Sequence, residues 1–75
     1  DTMKIYINAG KSKKVRAGDI VGAICEIEGV SGDDIGVIAI QEHQSFVDIL
    51  NGKGKLVLQH LKRIKKKNVK VQKAK

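Results

Sequence analysis

The chain is short of the residues that give small proteins their chemistry. Its one cysteine, Cys25, cannot form an internal disulfide, and two histidines with no second thiol near them offer no zinc-site spacing. Thiol redox and structural metal sites are excluded together, so no metal site is expected. No apolar run approaches the roughly 20 residues needed to cross a bilayer. The opening Asp1-Thr2-Met3-Lys4 lacks the apolar stretch of a secretory signal. A soluble, cytoplasmic, monomeric protein without membrane contact is expected. With 75 residues there is room for one domain. Chains of this size bury only roughly 60% of the surface their unfolded form exposes, which disfavours a deep, water-excluding active site. A start on Asp1 rather than Met suggests a fragment of a longer protein.

Charge, by contrast, is plentiful and segregated. The net +7 divides into +4 over residues 1–16, −7 over 17–50, where no Lys or Arg occurs, and +10 over 51–75, where no acid occurs. Two basic ends around an acidic middle can present one positive face to a polyanion, and nucleic acid is the first candidate.

The pattern of apolar residues supplies an architecture. Lys4-Ile5-Tyr6-Ile7-Asn8 alternates like a half-buried strand, with Ile5 and Ile7 inward and Lys4, Tyr6 and Asn8 outward. From Asp19 to Glu28, Ile20, Val21, Ile24, Cys25 and Ile27 recur at helical spacing, which predicts a helix with Cys25 in the core and Gly29 as its stop. Ile35–Gln41 and Gln44–Leu50 read as strands joined by a tight Glu42-His43 link. A second helix is predicted over roughly 54–63 from Val57, Leu58, Leu61 and Ile64, with Asn51 as its cap. Val69 and Val71 alternate with Lys70 and Gln72 in a last strand. The order β-α-β-β-α-β is that of the α+β, ferredoxin-like split βαβ fold. In it a four-stranded antiparallel sheet carries both helices on one face and leaves the other open.

On that open face the alternation places Tyr6 and Phe46, the only two aromatic residues of the chain. Aromatic rings on an open sheet with basic flanks are a stacking platform for unpaired bases. Asn8 and Gln44 beside them have the amides to read base edges. The competing reading is a cross-strand aromatic pair that serves the sheet alone. Lys11, Lys13, Lys14 and Arg16 form a loop suited to tracking phosphates. Lys62–Lys67, Lys70, Lys73 and Lys75 are further candidates for phosphate contact.

Other motifs give weaker signals. Gly10-Lys11-Ser12 ends like a phosphate-binding P-loop, but that motif requires glycine where this chain has Ile5. Asp33-Asp34 lacks a third ligand or a cleft and reads as turn chemistry. An acylphosphatase-like enzyme would need a Gly-rich nest around Arg16, and none is present.

Ile5-Tyr6-Ile7-Asn8-Ala9 resembles the first-strand motif of RNA-recognition motifs, with Tyr6 at the stacking position. Glu42-His43-Gln44-Ser45-Phe46-Val47-Asp48-Ile49 resembles their third-strand octamer, with Phe46 at the stacking position, although Glu42, His43 and Ile49 depart from it. The longer stretch Arg16-Ala17-Gly18-Asp19-Ile20-Val21-Gly22-Ala23-Ile24, with Gly29-Val30, Asp33-Asp34-Ile35-Gly36 and Ser45-Phe46-Val47, is similar to a divergent member of that motif. This is the C-terminal RNA-binding domain of DbpA/YxiN-type bacterial DEAD-box RNA helicases. The resemblance implies a module that anchors an ATP-dependent helicase on a hairpin of large-subunit ribosomal RNA, near the peptidyl-transferase centre, for ribosome assembly. It also implies that ATP and Mg belong to helicase domains elsewhere in the parent chain, with no cofactor and no catalytic residue here. RNA contact is then expected from Lys4, Tyr6, Asn8, Lys11, Lys13, Lys14, Arg16, Gln44, Phe46, Lys70 and Lys73. The alternative is a protein-docking module that uses the acidic helix face bearing Glu26 and Glu28.

Overall fold

The computed structural model describes residues 1–74, so Lys75 lies outside the described residues. Among the described residues, six strands and two α-helices follow one another: β1 (Met3–Ile7), α1 (Ala17–Cys25), β2 (Ile35–Ile40), β3 (Ser45–Ile49), α2 (Gly54–His60), β4 (Arg63–Ile64), β5 (Lys67–Asn68) and β6 (Val71–Lys73). The main sheet has the order β2-β3-β1-β6, and every neighbouring pair is antiparallel. This is the α+β, ferredoxin-like arrangement, with the closing strand supplied by β6.

Alternation along the strands decides the two faces of the sheet. Ile5 and Ile7 of β1 and Val47 and Ile49 of β3 are fully buried, and they meet Ile20 and Ile24 of α1 and Val57 of α2. Ser45 shares that buried side of β3, and its Oγ donates to Ala9 O at 2.7 Å, so the one polar side chain on this inner row is satisfied.

Helix α1 begins at Ala17 because Asp19 reaches back, its Oδ2 accepting the Arg16 N–H at 2.9 Å. It ends at Cys25, and Gly29 then turns the chain at φ +91. Only the row Ile20, Ile24 and Ile27 is buried, with Ala23 partly covered beside it. Cys25 lies one position round from it and is exposed, which corrects its assignment to the core.

The C-terminal third departs most from the sequence reading. Helix α2 stops at His60, and Leu61 turns to extended backbone, so the apolar Leu61 and Ile64 enter the core from outside the helix. Residues 63–68, within and just after the basic run Lys62–Lys67, form a two-stranded hairpin that the sequence reading did not include, with Arg63 opposite Asn68 and Ile64 opposite Lys67. The last strand accordingly starts at Val71, two residues later than the pattern of Val69 and Val71 suggests.

Asn51 does not cap α2, whose first residue follows Lys53. It adopts the left-handed region at φ 59 and donates Nδ2 to Asp34 Oδ1 at 2.8 Å. Asp34, in a 3-10 turn over Gly32–Asp34, also accepts the Ser31 N–H at 3.0 Å. Its carbonyl takes the Leu50 N–H at 2.7 Å. The Asn51 amide, followed by the Ser31 N–H and the Lys53 ammonium, holds the Asp34 carboxyl below the usual carboxylate range. The Asp33-Asp34 pair is thus turn chemistry, and Asp34 joins the segments before β2 and after β3.

Candidate nucleic-acid interface

Two surfaces carry the candidate residues, and the first is the open face of the sheet. Tyr6 lies directly opposite Phe46 across β1 and β3, with ring centroids 5.8 Å apart and planes at 62°, an edge-to-face pair. Both rings are half-buried. Lys4 opposes Asp48 in the same register, so the central strands bring one base and one acid to this face. The two expected base-reading amides are each partly engaged. Gln44 Nε2 donates to Gln41 Oε1 at 2.6 Å, and Asn8 Oδ1 accepts the Lys70 N–H at 2.8 Å. Lys70 therefore sits beside Asn8 at the end of β1. Lys73 opposes Ile5, so it takes the parity of the helix-covered side of the edge strand, away from Tyr6.

The second surface lies beyond the end of the sheet. Residues Lys11–Lys13 form a 3-10 turn, and Lys14 closes it in the left-handed region at φ 61. The turn is fastened to the β2–β3 link, with Lys11 N–H on Gln41 O at 2.9 Å and Ser12 N–H on Glu42 O at 2.8 Å. Gly10 permits this approach, since a Cβ there would collide with Gln41 O and lie 2.8 Å from Gln44 N, both fixed backbone atoms.

The β4–β5 hairpin docks onto this loop. Lys65 Nζ donates to Lys14 O at 3.3 Å and Lys67 Nζ to Lys13 O at 3.2 Å, while Lys65 Nζ is 3.9 Å from Asp19 Oδ2. Lys11, Lys14, Arg16 and Lys65 line one shallow groove of about 430 Å³, with Val15 and Asp19 in its wall. Among the described residues, the side chains of Lys11, Lys13, Lys14, Arg16 and Lys66 have no hydrogen-bond or ion-pair partner within the chain. Two basic segments separated by some fifty residues (|i−j| 51 and 54 for the two contacts) thus form one patch, with Asp19 the acid in its groove.

The hairpin turn itself is costly. Lys65 and Lys66 occupy φ 53 and 66, the double left-handed conformation of a two-residue type I′ turn that Asn-Gly fills with least strain. With Lys14, three of the four non-glycine residues at positive φ among the described residues are lysines of this patch. Strained positions of this kind cluster at functional sites. The sequence gives no signal for the hairpin, because a Lys-Lys turn lacks the Gly or Asn by which such turns are recognised.

A family model matches residues 4–73 of the chain and describes the DbpA RNA binding domain. The chain belongs to that family. It is similar to the ATP-dependent RNA helicase DbpA of Bacillus subtilis, at 55% identity over 99% of the chain and 16% of that protein. It is also similar, at 33% identity over 81% of the chain and 27% of the relative, to an uncharacterized protein of Treponema pallidum. The chain therefore spans less than a third of either relative. As a DbpA RNA-binding domain it has an RNA-binding role, which fits the placement of its free cations. No helix among the described residues is long and apolar enough to cross a membrane.

Proposed function

We propose that this DbpA domain anchors a longer, ATP-dependent RNA helicase on structured RNA. In this reading the patch of loop 11–16 and hairpin 63–68 carries most of the affinity. The observation behind it is the docking of Lys65 and Lys67 onto the carbonyls of Lys14 and Lys13, which collects ammonium groups that repel one another unless a polyanion lies across them. Phosphate neutralisation supplies a large share of affinity for nucleic acid, and the cations gather here, whereas on the central strands of the open face Lys4 stands opposite Asp48. Phosphate contacts come from Lys11, Lys13, Lys14 and Arg16, joined by Lys65 and Lys66 and, at the sheet end, by Lys70. Tyr6 and Phe46 stack on unpaired bases, and Asn8 and Gln44 read their edges with the polar atoms left free. Lys4 lies on the same face, and Lys73 contributes charge from the edge strand.

The target that the family resemblance supports is a hairpin of large-subunit ribosomal RNA near the peptidyl-transferase centre, in ribosome assembly in the cytoplasm. ATP and Mg are bound by helicase domains outside this chain. The test is binding of the 75-residue chain to that hairpin and to a scrambled RNA of equal length, each at two salt concentrations. Tighter binding to the hairpin, with a preference that persists at the higher salt, is the expected result. Equal, salt-fragile binding to both RNAs would refute selective anchoring and place specificity elsewhere in the parent protein.

A further inference from the structure

His43 stands where the two surfaces meet. It occupies the β2–β3 link, between Glu42 and Gln44, and the basic loop is fastened to this link through Lys11 and Ser12. Its ring is held on one side only: Nδ1 lies 3.2 Å from Ser12 Oγ, while Nε2 has no partner among the described residues and the side chain is exposed. Protonation leaves this arrangement intact. The serine hydroxyl can turn from donating to Nδ1 to accepting from it, and the charged ring then offers Nε2–H as a fixed cationic donor. The charged residues around it are Glu42 on its own turn, Lys11, Lys13 and Lys14 on the loop packed against that turn, and Lys70 at the same end of the sheet.

We propose that His43 is an RNA-contacting residue that donates Nε2–H to a backbone phosphate between the stacking face and the basic patch, and that its protonation strengthens binding. The inference rests on the RNA-binding reading above. A strand whose bases stack on Phe46 and whose phosphates reach Lys11 passes the turn that carries this ring. Imidazole is the side chain that changes charge between pH 5 and 8, so the contact makes RNA affinity pH-dependent in that range.

The experiment measures dissociation constants of the chain for the labelled ribosomal hairpin at about pH 6 and about pH 8, at constant ionic strength, for the wild type and for His43→Gln. The wild type is expected to bind about two- to fivefold more tightly at the lower pH, the gain typical of one exposed charge contact. His43→Gln should lose the gain at the lower pH, its own affinity at the higher pH being the reference against which that loss is read. If the variant keeps the full gain, the titrating group is the other histidine, His60, or lies in the RNA, and the assignment of His43 is overturned. A pH-independent wild type overturns it as well. Absence of hairpin binding at both pH values overturns instead the anchoring reading on which the inference rests.

Discussion

Asn51 shows how a polar side chain can serve two loops at once. Its left-handed backbone turns the chain after β3, and its amide reaches Asp34, seventeen residues earlier. That Asp33-Asp34 belongs to a turn was readable from the sequence, because such turns are local. The partner was not, since nothing in the residues near Asn51 points back to Asp34. Asn51→Gly removes the amide while glycine keeps the positive φ, and the entropy that glycine adds to the unfolded chain does not change with pH, so the pH-dependent part of the effect reports the contact. The folded-state Asp34 carboxyl titrates below its unfolded value of about 3.9, so its stabilisation is present above that value and is lost as pH falls through the folded one. Denaturant unfolding is therefore expected to show the variant less stable than wild type near neutrality, with the difference shrinking as the solution is acidified below about pH 4. A difference that stays constant with pH would show that Asp34 gains nothing from the amide.

At the level of elements, the sequence was most informative where periodicity and burial agree. The alternation of Ile5 and Ile7, and of Ser45, Val47 and Ile49, gave β1 and β3 with the correct inward sides, and it put Tyr6 and Phe46 on the same outer side. It was least informative from Leu61 onward, where Leu61 and Ile64 continue a helical spacing that the backbone abandons. The reason is tertiary: these two side chains fill the core from an extended segment, and the hairpin that follows is stabilised by docking on a loop far away in sequence. The same hairpin carries a prediction. Lys65→Asn combined with Lys66→Gly installs the residues that suit a type I′ turn; relief of two left-handed lysines, worth about 1 kcal/mol, offsets the loss of the exposed Lys65 contacts to Lys14 O and Asp19, so the fold should be at least as stable as wild type in denaturant melts. The same pair should weaken RNA binding and flatten the log–log salt slope by roughly 0.7 for each lysine that contacts a single-stranded phosphate. A variant that is at least as stable and binds RNA unchanged would leave the strained lysines without a function.

In the proposed reading the whole molecule divides its work between a nearly neutral sheet face and a strongly positive end, and the two make different demands on RNA. Stacking is worth about 1–3 kcal/mol per base and changes little with salt, whereas phosphate contacts weaken steeply as salt rises. Tyr6 and Phe46 face each other edge to plane, so a base that stacks on one must compete with a contact the pair already makes. The stacking gain should consequently fall at the low end, about 1 kcal/mol for Tyr6→Ala or Phe46→Ala, with the salt slope unchanged. Lys13→Ala combined with Lys66→Ala removes two cations with no side-chain partner among the described residues, so it should leave the fold intact, weaken binding more than either aromatic change, and flatten the slope. Filter binding or anisotropy across a salt series separates the cases. If the aromatic variants lose more affinity than the lysine pair, the sheet is the main RNA surface and the basic end only steers. If the order is as expected, the departures at Glu42, His43 and Ile49 have a physical sense: a domain that holds RNA by its charged end depends less on the full third-strand motif that a base-reading sheet needs.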